Sequence, residues 1–363
     1  MRIGIVTQPL AANYGGFLQN YALQEVLRRK GHVPMTIDVG NKISLGRFIL
    51  STIRSLLFLL IPNKRRPFAK FKETRYNIRK VEFERFIHQN ISKTKDVSRY
   101  NPSLIRKYKF DAVIVGSDQV WRPLYNNSIE DMYLRFVKQT SVKKVAYAAS
   151  FGTDRWEYSI AQTLKCQQYA KQLDAVSVRE ESGKKLCRTY LGVDASVVLD
   201  PTLLLSSKDY EYLCEQIPRN AESPFIAAYI LDRNKIIDDT LEEISNSIGM
   251  AVRIFEADAK SELSVEEWIA VYRDASYVIT DSFHGTVFSI IFNKPFVCLG
   301  NANRGNTRFD SLLGILDLQN RYLAEYSNAT NLLSQPIVWS QVNAILEVKR
   351  GESFRFLLQA LNS

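Results

Sequence analysis

Three histidines, His32, His88 and His284, are all that this 363-residue chain contains. None stands beside a second metal-type ligand at a recognised spacing, which excludes a structural zinc site and leaves only a metal bridged by a substrate's phosphate. Cysteine is scarce as well. Cys166, Cys187, Cys214 and Cys298 are scattered with no CxxC pair, so no disulfide framework or zinc pair is expected. The chain has no low-complexity block and no convincing internal repeat, which sets disorder aside. It also lacks a membrane span: the one candidate, residues 45–61, carries Arg47 and Arg54 inside the apolar run and is short for a spanning helix. The first residues run straight into an apolar strand, Met1-Arg-Ile-Gly-Ile-Val6, without signal-peptide architecture. These absences lead to the expectation of a reduced, cytoplasmic chain.

What is present fits a folded protein throughout. Hydrophobic residues make up 46% and charged residues 24%, ordinary globular fractions, and the length exceeds what one core usually organises, so two domains are expected. The net charge of +10 is uneven. Residues 41–110 hold eighteen Lys and Arg against four Asp and Glu, which leaves the rest slightly acidic. Inside that basic insertion, residues 45–66 end in Pro62-Asn-Lys-Arg-Arg66. Such an apolar, base-flanked helix either packs on its own lobe or lies on an anionic membrane surface, a peripheral contact on the inner face of the membrane. Nucleic acid is not an expected partner, because the basic run lacks an aromatic-rich sheet or a recognition helix.

Apolar strand patterns alternate with helical ones, the signature of parallel sheets covered by helices. Strands are expected at 2–7, 33–39, 112–115, 144–149, 175–178 and 196–199, enough for one Rossmann-like sheet. After a polar linker near 203–223 the alternation restarts, with strands at 225–230, 251–255, 277–280 and 295–299. Helices are expected at 235–248, 265–274 and 285–292, and a last one at 340–361 could return to the first lobe. The division is therefore 1–205 for an N-terminal lobe, 206–335 for a C-terminal lobe and 336–363 for a terminal helical segment. In open α/β sheets, ligands gather at the carboxyl ends of strands.

Five strand-end loops could carry chemistry. In the first, Asn13, Gly15 and Gly16 precede a helix containing Gln19, where backbone N–H groups could meet an anion or a sugar; a ligand-free tight turn is the alternative. The second, Gly116-Ser-Asp-Gln-Val-Trp121, offers Ser117, Asp118 and Gln119 for hydroxyl contacts and Trp121 for stacking on a sugar face. Otherwise Asp118 caps the next element and Trp121 packs in the core. The third places Arg179 at a strand end, to grip an anion or to pair with Glu180 or Glu181. The fourth, Asp281-Ser-Phe-His-Gly-Thr286, puts Ser282, His284, Gly285 and Thr286 at a helix start where partial positive charge accumulates, unless His284 is structural. The fifth holds Arg304 and Arg308 as second-rank anion contacts.

These motifs, with Gln19-Asn-Tyr-Ala-Leu-Gln24, Ser177-Val-Arg-Glu180 and Asp200-Pro-Thr202, together resemble the polysaccharide pyruvyl transferase family from about residue 1 to about residue 323. The resemblance implies an α/β fold of two Rossmann-like, GT-B-like lobes with a cleft between them. It implies phosphoenolpyruvate as donor, with no further cofactor. The product would be a pyruvate ketal, with release of phosphate, on two hydroxyls of a sugar in a surface polysaccharide, exopolysaccharide or capsule, or in its lipid-linked precursor. His284 matches the motif histidine expected in the donor site as a catalytic residue, and Arg179 an arginine expected to bind the donor. Part of the family has a basic residue where this chain has Ser282, so Arg304 or Arg308 would complete the donor clamp beside Gly285 and Thr286. His284 is then the leading general acid and Asp118 the base for the acceptor hydroxyl, with Asn13, Gly15, Gly16, Gln19, Ser117, Gln119 and Trp121 on the acceptor side. Two other readings stand beside this one: a GT-B-type nucleotide-sugar glycosyltransferase, and a non-catalytic glycan-binding component of an envelope pathway.

Overall fold

In a computed structural model, each half of the chain is built on a wholly parallel sheet. The structure describes residues 1–10, 13–39, 73–95, 97–126, 128–139, 141–220, 223–256, 263–300 and 306–362, the side chains of 73–80 and 327 excepted. Residues 45–66 and Arg304 lie outside the described residues.

The first lobe runs β1 (Arg2–Val6), α1 (Tyr14–Arg29), β2 (Val33–Thr36), α2 (Glu73–Asn90), α3 (Ser103–Tyr108), β3 (Ala112–Val115), β4 (Lys143–Ala149), α4 (Ile160–Ala170), β5 (Ala175–Val178), α5 (Glu181–Leu186) and β6 (Ser196–Val197). Its strands lie in the order β2-β1-β3-β4-β5-β6. Central strands such as β3, Ala-Val-Ile-Val, are buried at every residue, as a sheet covered on both faces requires. The second lobe follows with α6 (Ser207–Leu213), β7 (Ile226–Ile230), α7 (Lys235–Ile248), β8 (Val252–Glu256), α8 (Val265–Asp274), β9 (Tyr277–Thr280), α9 (Phe283–Ile291), β10 (Phe296–Leu299), α10 (Thr307–Ile315), β11 (Tyr322–Leu323), α11 (Ala329–Ser334) and α12 (Trp339–Asn362). Here the order is β11-β10-β9-β7-β8.

Local chemistry sets these boundaries. Helix α7 starts where Asn234 accepts a hydrogen bond from the Ile237 amide at 3.1 Å and stops at Gly249, whose φ of 68° lies in the left-handed region. Between them Ile237, Leu241 and Ile244 form one buried face. Helix α8 opens on a capping box of Ser264 and Glu267. Helix α9, which carries His284, differs from both in being buried at all nine positions. It is held on every side and presents its N-terminus to the other lobe. Strand β11 pairs only Tyr322 and Leu323 with β10, too few residues to leave an alternating pattern, and it was not among the expected strands.

The lobes meet through aromatic side chains. Tyr14, the first residue of α1, stacks on Trp268 of α8 at 5.3 Å and 15° and meets Phe83 and Tyr229 edge-on. Its hydroxyl donates to the Leu263 carbonyl at 2.5 Å. From the far side, α12 crosses back onto the first lobe, where Phe356 reaches Tyr147 of β4 and Ser353 accepts a hydrogen bond from the Leu199 amide at 3.0 Å. Trp268 is fully buried at this junction. Trp268→Ala is expected to cost about 3–5 kcal/mol, read as a lower urea midpoint.

Candidate active site

In each sheet the strand order reverses between two neighbours, β1 and β3 in the first lobe and β7 and β9 in the second. Such reversals open crevices at the carboxyl ends of the strands, and here the two crevices face each other. A cleft of about 100 Å³ lies between them. Asn13 and Gly15 line it from the start of α1, and Asp118 and Gln119 from the loop after β3. Leu231 follows β7, while Ser282, Phe283 and His284 open α9 and Arg308 projects from α10.

His284 is 8% exposed. Its ring lies against Gly15: a Cβ there would come within 1.9 Å of Nδ1, so the absence of a side chain on α1 makes room for the imidazole. Nε2 has no hydrogen-bond partner among the described residues and stands 3.9 Å from Asp200 Oδ2. Burial pushes the imidazole down to about 4; Asp200 and Asp118 pull upward against it, while Arg179 and Arg308 push further down. In the free protein at neutral pH the ring is therefore uncharged.

Beneath His284 lies a buried ion pair. Arg179 Nη1 donates to Asp200 Oδ2 at 2.5 Å, with both side chains almost fully enclosed. Ser117 Oγ donates to the same oxygen at 3.1 Å, and the Thr202 amide and hydroxyl donate to Oδ1 at 3.0 and 2.6 Å. Burial alone would raise the Asp200 carboxyl, but Arg179, His284 and Thr202 outweigh it and hold it at about 2. Arg179 keeps Nε and Nη2 without a partner among the described residues. Its guanidinium and that of Arg308 lie over the Phe283 ring, at 4.5 and 5.4 Å. Burial, and then Arg179, lower Arg308 to about 10. Two cations on one aromatic ring are stabilised by its quadrupole and repel each other, an arrangement ready to receive an anion.

The structure brings His284, Asp118, Ser282, Arg308, Asn13, Gly15 and Gln119 to this cleft, sets Arg179 behind it, and corrects the expectations for Trp121, Gln19, Ser117, Gly285 and Thr286. Trp121 does not offer a stacking face. It is 0% exposed, stacked on Tyr133 at 4.8 Å, and its Nε1 donates to the Met132 carbonyl at 2.9 Å, so the core reading of this residue prevails. Gln19 and Ser117 are consumed by a buried network: Gln19 donates to Thr7 Oγ1 and the Gly16 carbonyl, and accepts from the Ser117 amide. Gly285 is a packing glycine, since a Cβ would lie 2.2 Å from Thr280 Oγ1, and its amide already donates to Ser282 Oγ at 3.3 Å. Thr286 is likewise closed, its amide and hydroxyl both donating to the Ser282 carbonyl. At the helix start the amides of Phe283 and His284 have no acceptor within the helix. Gly16 donates its amide to the Asn13 side chain at 3.2 Å, capping α1.

Asp200 and Phe283 were missed. Each stood inside a quoted motif, but only the tertiary arrangement reveals that a carboxylate after β6 reaches Arg179 after β5, or that one ring underlies two arginines. Among the described residues no group of three His, Cys, Asp or Glu side chains could hold a metal ion, and no helix is long and apolar enough to cross a membrane.

Two parallel α/β lobes with a cleft at the facing switch points define a GT-B-like fold. The structure is similar to the UDP-GlcNAc 2-epimerase of Methanocaldococcus jannaschii in complex with UDP-GlcNAc and UDP (TM-score 0.51, 14% identity, 100% of this chain and 99% of that one). It is similar also to the UDP-N-acetylglucosamine 2-epimerase of Rickettsia bellii (0.50, 10%, 100% and 97%) and to Acinetobacter baumannii MurG (0.46, 10%, 100% and 99%). At such identities the likeness to the two epimerases speaks for the fold alone. No curated protein matches the sequence. A sequence model described as polysaccharide pyruvyl transferase, however, matches residues 13–303, most of the chain. The chain belongs to the polysaccharide pyruvyl transferase family.

The depressed His284 value carries a sign. The unfolded imidazole binds its proton near pH 6.5 and the folded one only near 4, so the unfolded state holds more protons in between. Stability is then full above about pH 6.5 and falls toward pH 4 by up to about 1.4 kcal/mol per unit. Urea titrations at stepped pH are expected to show this slope, and His284→Gln to remove its share.

Proposed function

We propose that the protein transfers pyruvate from phosphoenolpyruvate to two hydroxyls of a glycan sugar, forming a cyclic ketal and releasing phosphate. The observation that carries this reading is His284, which lines an anion-ready cleft and whose buried Nε2 has no hydrogen-bond partner among the described residues, in a chain whose family supplies the reaction class. The donor's carboxylate and phosphate would meet Arg308 and the first amides of α9, with the Arg179 guanidinium adding positive charge from behind the cleft. These groups favour negative charge as it moves onto the departing phosphate.

Ketal formation requires a proton on the methylene carbon and a C–O bond from an acceptor hydroxyl to the neighbouring carbon. A second hydroxyl then forms the other C–O bond as the bond to phosphate breaks. One hydroxyl proton balances the proton delivered to carbon, and the other leaves with phosphate. His284 delivers the first proton in this scheme. It must therefore gain one when the donor binds, and the donor's negative charge drives that uptake. Asp118, facing the cleft from the loop after β3, would accept the proton of the attacking hydroxyl.

The acceptor would approach from the first lobe. A second cavity, of about 310 Å³, opens past the ends of β1 and β2 and is lined by Gln8, Asp38, Tyr100, Asn126 and Asp131; it shares Tyr125 with the His284 cleft. Tyr125 is 50% exposed. Polar groups beside two tyrosine rings suit a sugar, and this cavity replaces Trp121 as the ring's resting place. A glycan of a surface polysaccharide or its lipid-linked precursor is the proposed acceptor.

Phosphoenolpyruvate is expected to raise the melting temperature, whereas uridine and guanosine nucleotides leave it unchanged; the reverse result would favour a nucleotide-sugar enzyme. With a pyruvylatable glycan, phosphate release and a pyruvylated product by mass spectrometry should fall about 10²–10⁴-fold in His284→Asn. Gly15→Ala, which forces the imidazole aside, should lose about 10²-fold in kcat while remaining folded. Asp118→Asn tests the base: full turnover with weakened acceptor binding would reduce Asp118 to a sugar contact.

A further inference from the structure

Asp200 does not line the cleft and is 1% exposed, so it cannot touch substrate. It nevertheless joins four elements. Its two oxygens accept from Arg179 after β5, Ser117 after β3 and Thr202 in its own loop, and Oδ2 faces His284 of the second lobe. The segment carrying it is tied from behind by α12. The Leu199 amide donates to Ser353, and Arg350 donates to the carbonyls of Leu203 at 2.5 Å and Leu205 at 2.9 Å. The Tyr147 hydroxyl donates to the Leu199 carbonyl at 3.2 Å. Helix α12 lies beyond the residues that the family model spans.

We propose that Asp200, locked in place by the C-terminal helix α12, is the positioning residue that aims the Arg179 guanidinium and stabilises the protonated form of His284. The charged groups around His284 are Asp200, Arg179, Asp118 and Arg308, from the loop after β6, the end of β5, the loop after β3 and α10. Asp118 and Arg308 line the cleft, where a bound ligand engages them. Asp200 and Arg179 lie behind it, so their influence persists through the reaction. The inference rests on the reading of His284 as the acid, and its test separates the two.

Asp200→Asn removes the charge and keeps one acceptor oxygen, enough for Arg179 and Ser117 or for Thr202 but not for both sides. With phosphoenolpyruvate bound, histidine ¹³C NMR should show the His284 midpoint at least about one pH unit lower, a tenfold loss of proton affinity, with His32 and His88 unmoved. The alkaline limb of kcat should move down with it. KM for phosphoenolpyruvate should hold or fall, because a negative charge has left an anion site. A merely structural role would weaken KM and kcat together and leave the limb in place. Because breaking a buried ion pair can unfold a protein, Ser353→Ala is the second variant. It cuts the α12 tether at a residue that does not line the cleft and should lower the His284 midpoint by at least about 0.3 unit, twofold. An unmoved midpoint and limb in whichever variant folds overturns the proposal. If phosphoenolpyruvate leaves wild-type His284 unperturbed, the donor assignment fails instead, and the same comparison is made with inorganic phosphate.

Discussion

The buried pair of Arg179 and Asp200 is the constraint from which the rest of the site follows. Neither ion can leave its place, because removing either partner would strand a charge in a dry interior at a cost of about 3–5 kcal/mol. The pair is tolerable because Asp200 receives four hydrogen bonds, two at each oxygen. Those bonds tie together the loops after β3, β5 and β6, so strand ends that might otherwise move independently share one geometry. His284 then meets a carboxylate whose position is already settled.

The second lobe answers with equal rigidity. Asp281 accepts from the Leu231 and Asp232 amides at 2.6 and 3.0 Å, joining the ends of β7 and β9, and Ser282 caps the helix that begins one residue before His284. Gly285 packs on Thr280 and Gly15 packs on the imidazole, so neither backbone can slide without a clash. The aromatic seam of Tyr14 and Trp268 holds the lobes in register. A site assembled across a domain boundary keeps catalytic spacing only when both sides and the seam are stiff.

Much of this was legible in the sequence. Parallel strands such as 112–115 and 277–280 stand out as short apolar runs, and capped helices such as 235–248 are bounded by Asn234 and Gly249 on local chemistry alone. The four richest strand-end loops do converge on one cleft. What could not be read was which side of each residue faces the ligand. Trp121 at a strand end looks the same in sequence whether it stacks on a sugar or on Tyr133. Gly285 looks like an open backbone donor until Thr280 is seen against it. Asp200 and Phe283 act through neighbours 21 and more residues away, and such pairings are set by sheet order, which no local pattern encodes. Of the basic excess of 41–110, none of the described side chains, those of 81–95 and 97–110, lines the cleft.

Charge at the cleft itself explains why a neutral histidine belongs there. Among the described residues Arg179 and Arg308 face Asp118, Glu180 and Asp200, so carboxylates outnumber guanidiniums by one before any ligand arrives. Glu180 is held by Ser150 and two backbone amides, and Asp200 sits near 2, so Asp200 does not readily take up a proton. Adding the proposed donor, with its carboxylate and phosphate, would leave the cleft strongly negative in surroundings of low dielectric constant. The least costly correction is a proton on His284, whose ring is neutral only because burial outweighs Asp200. An anion that contributes one more negative charge tips that balance. In the proposed reaction that proton would then serve the methylene carbon, so donor binding and acid activation would be one event.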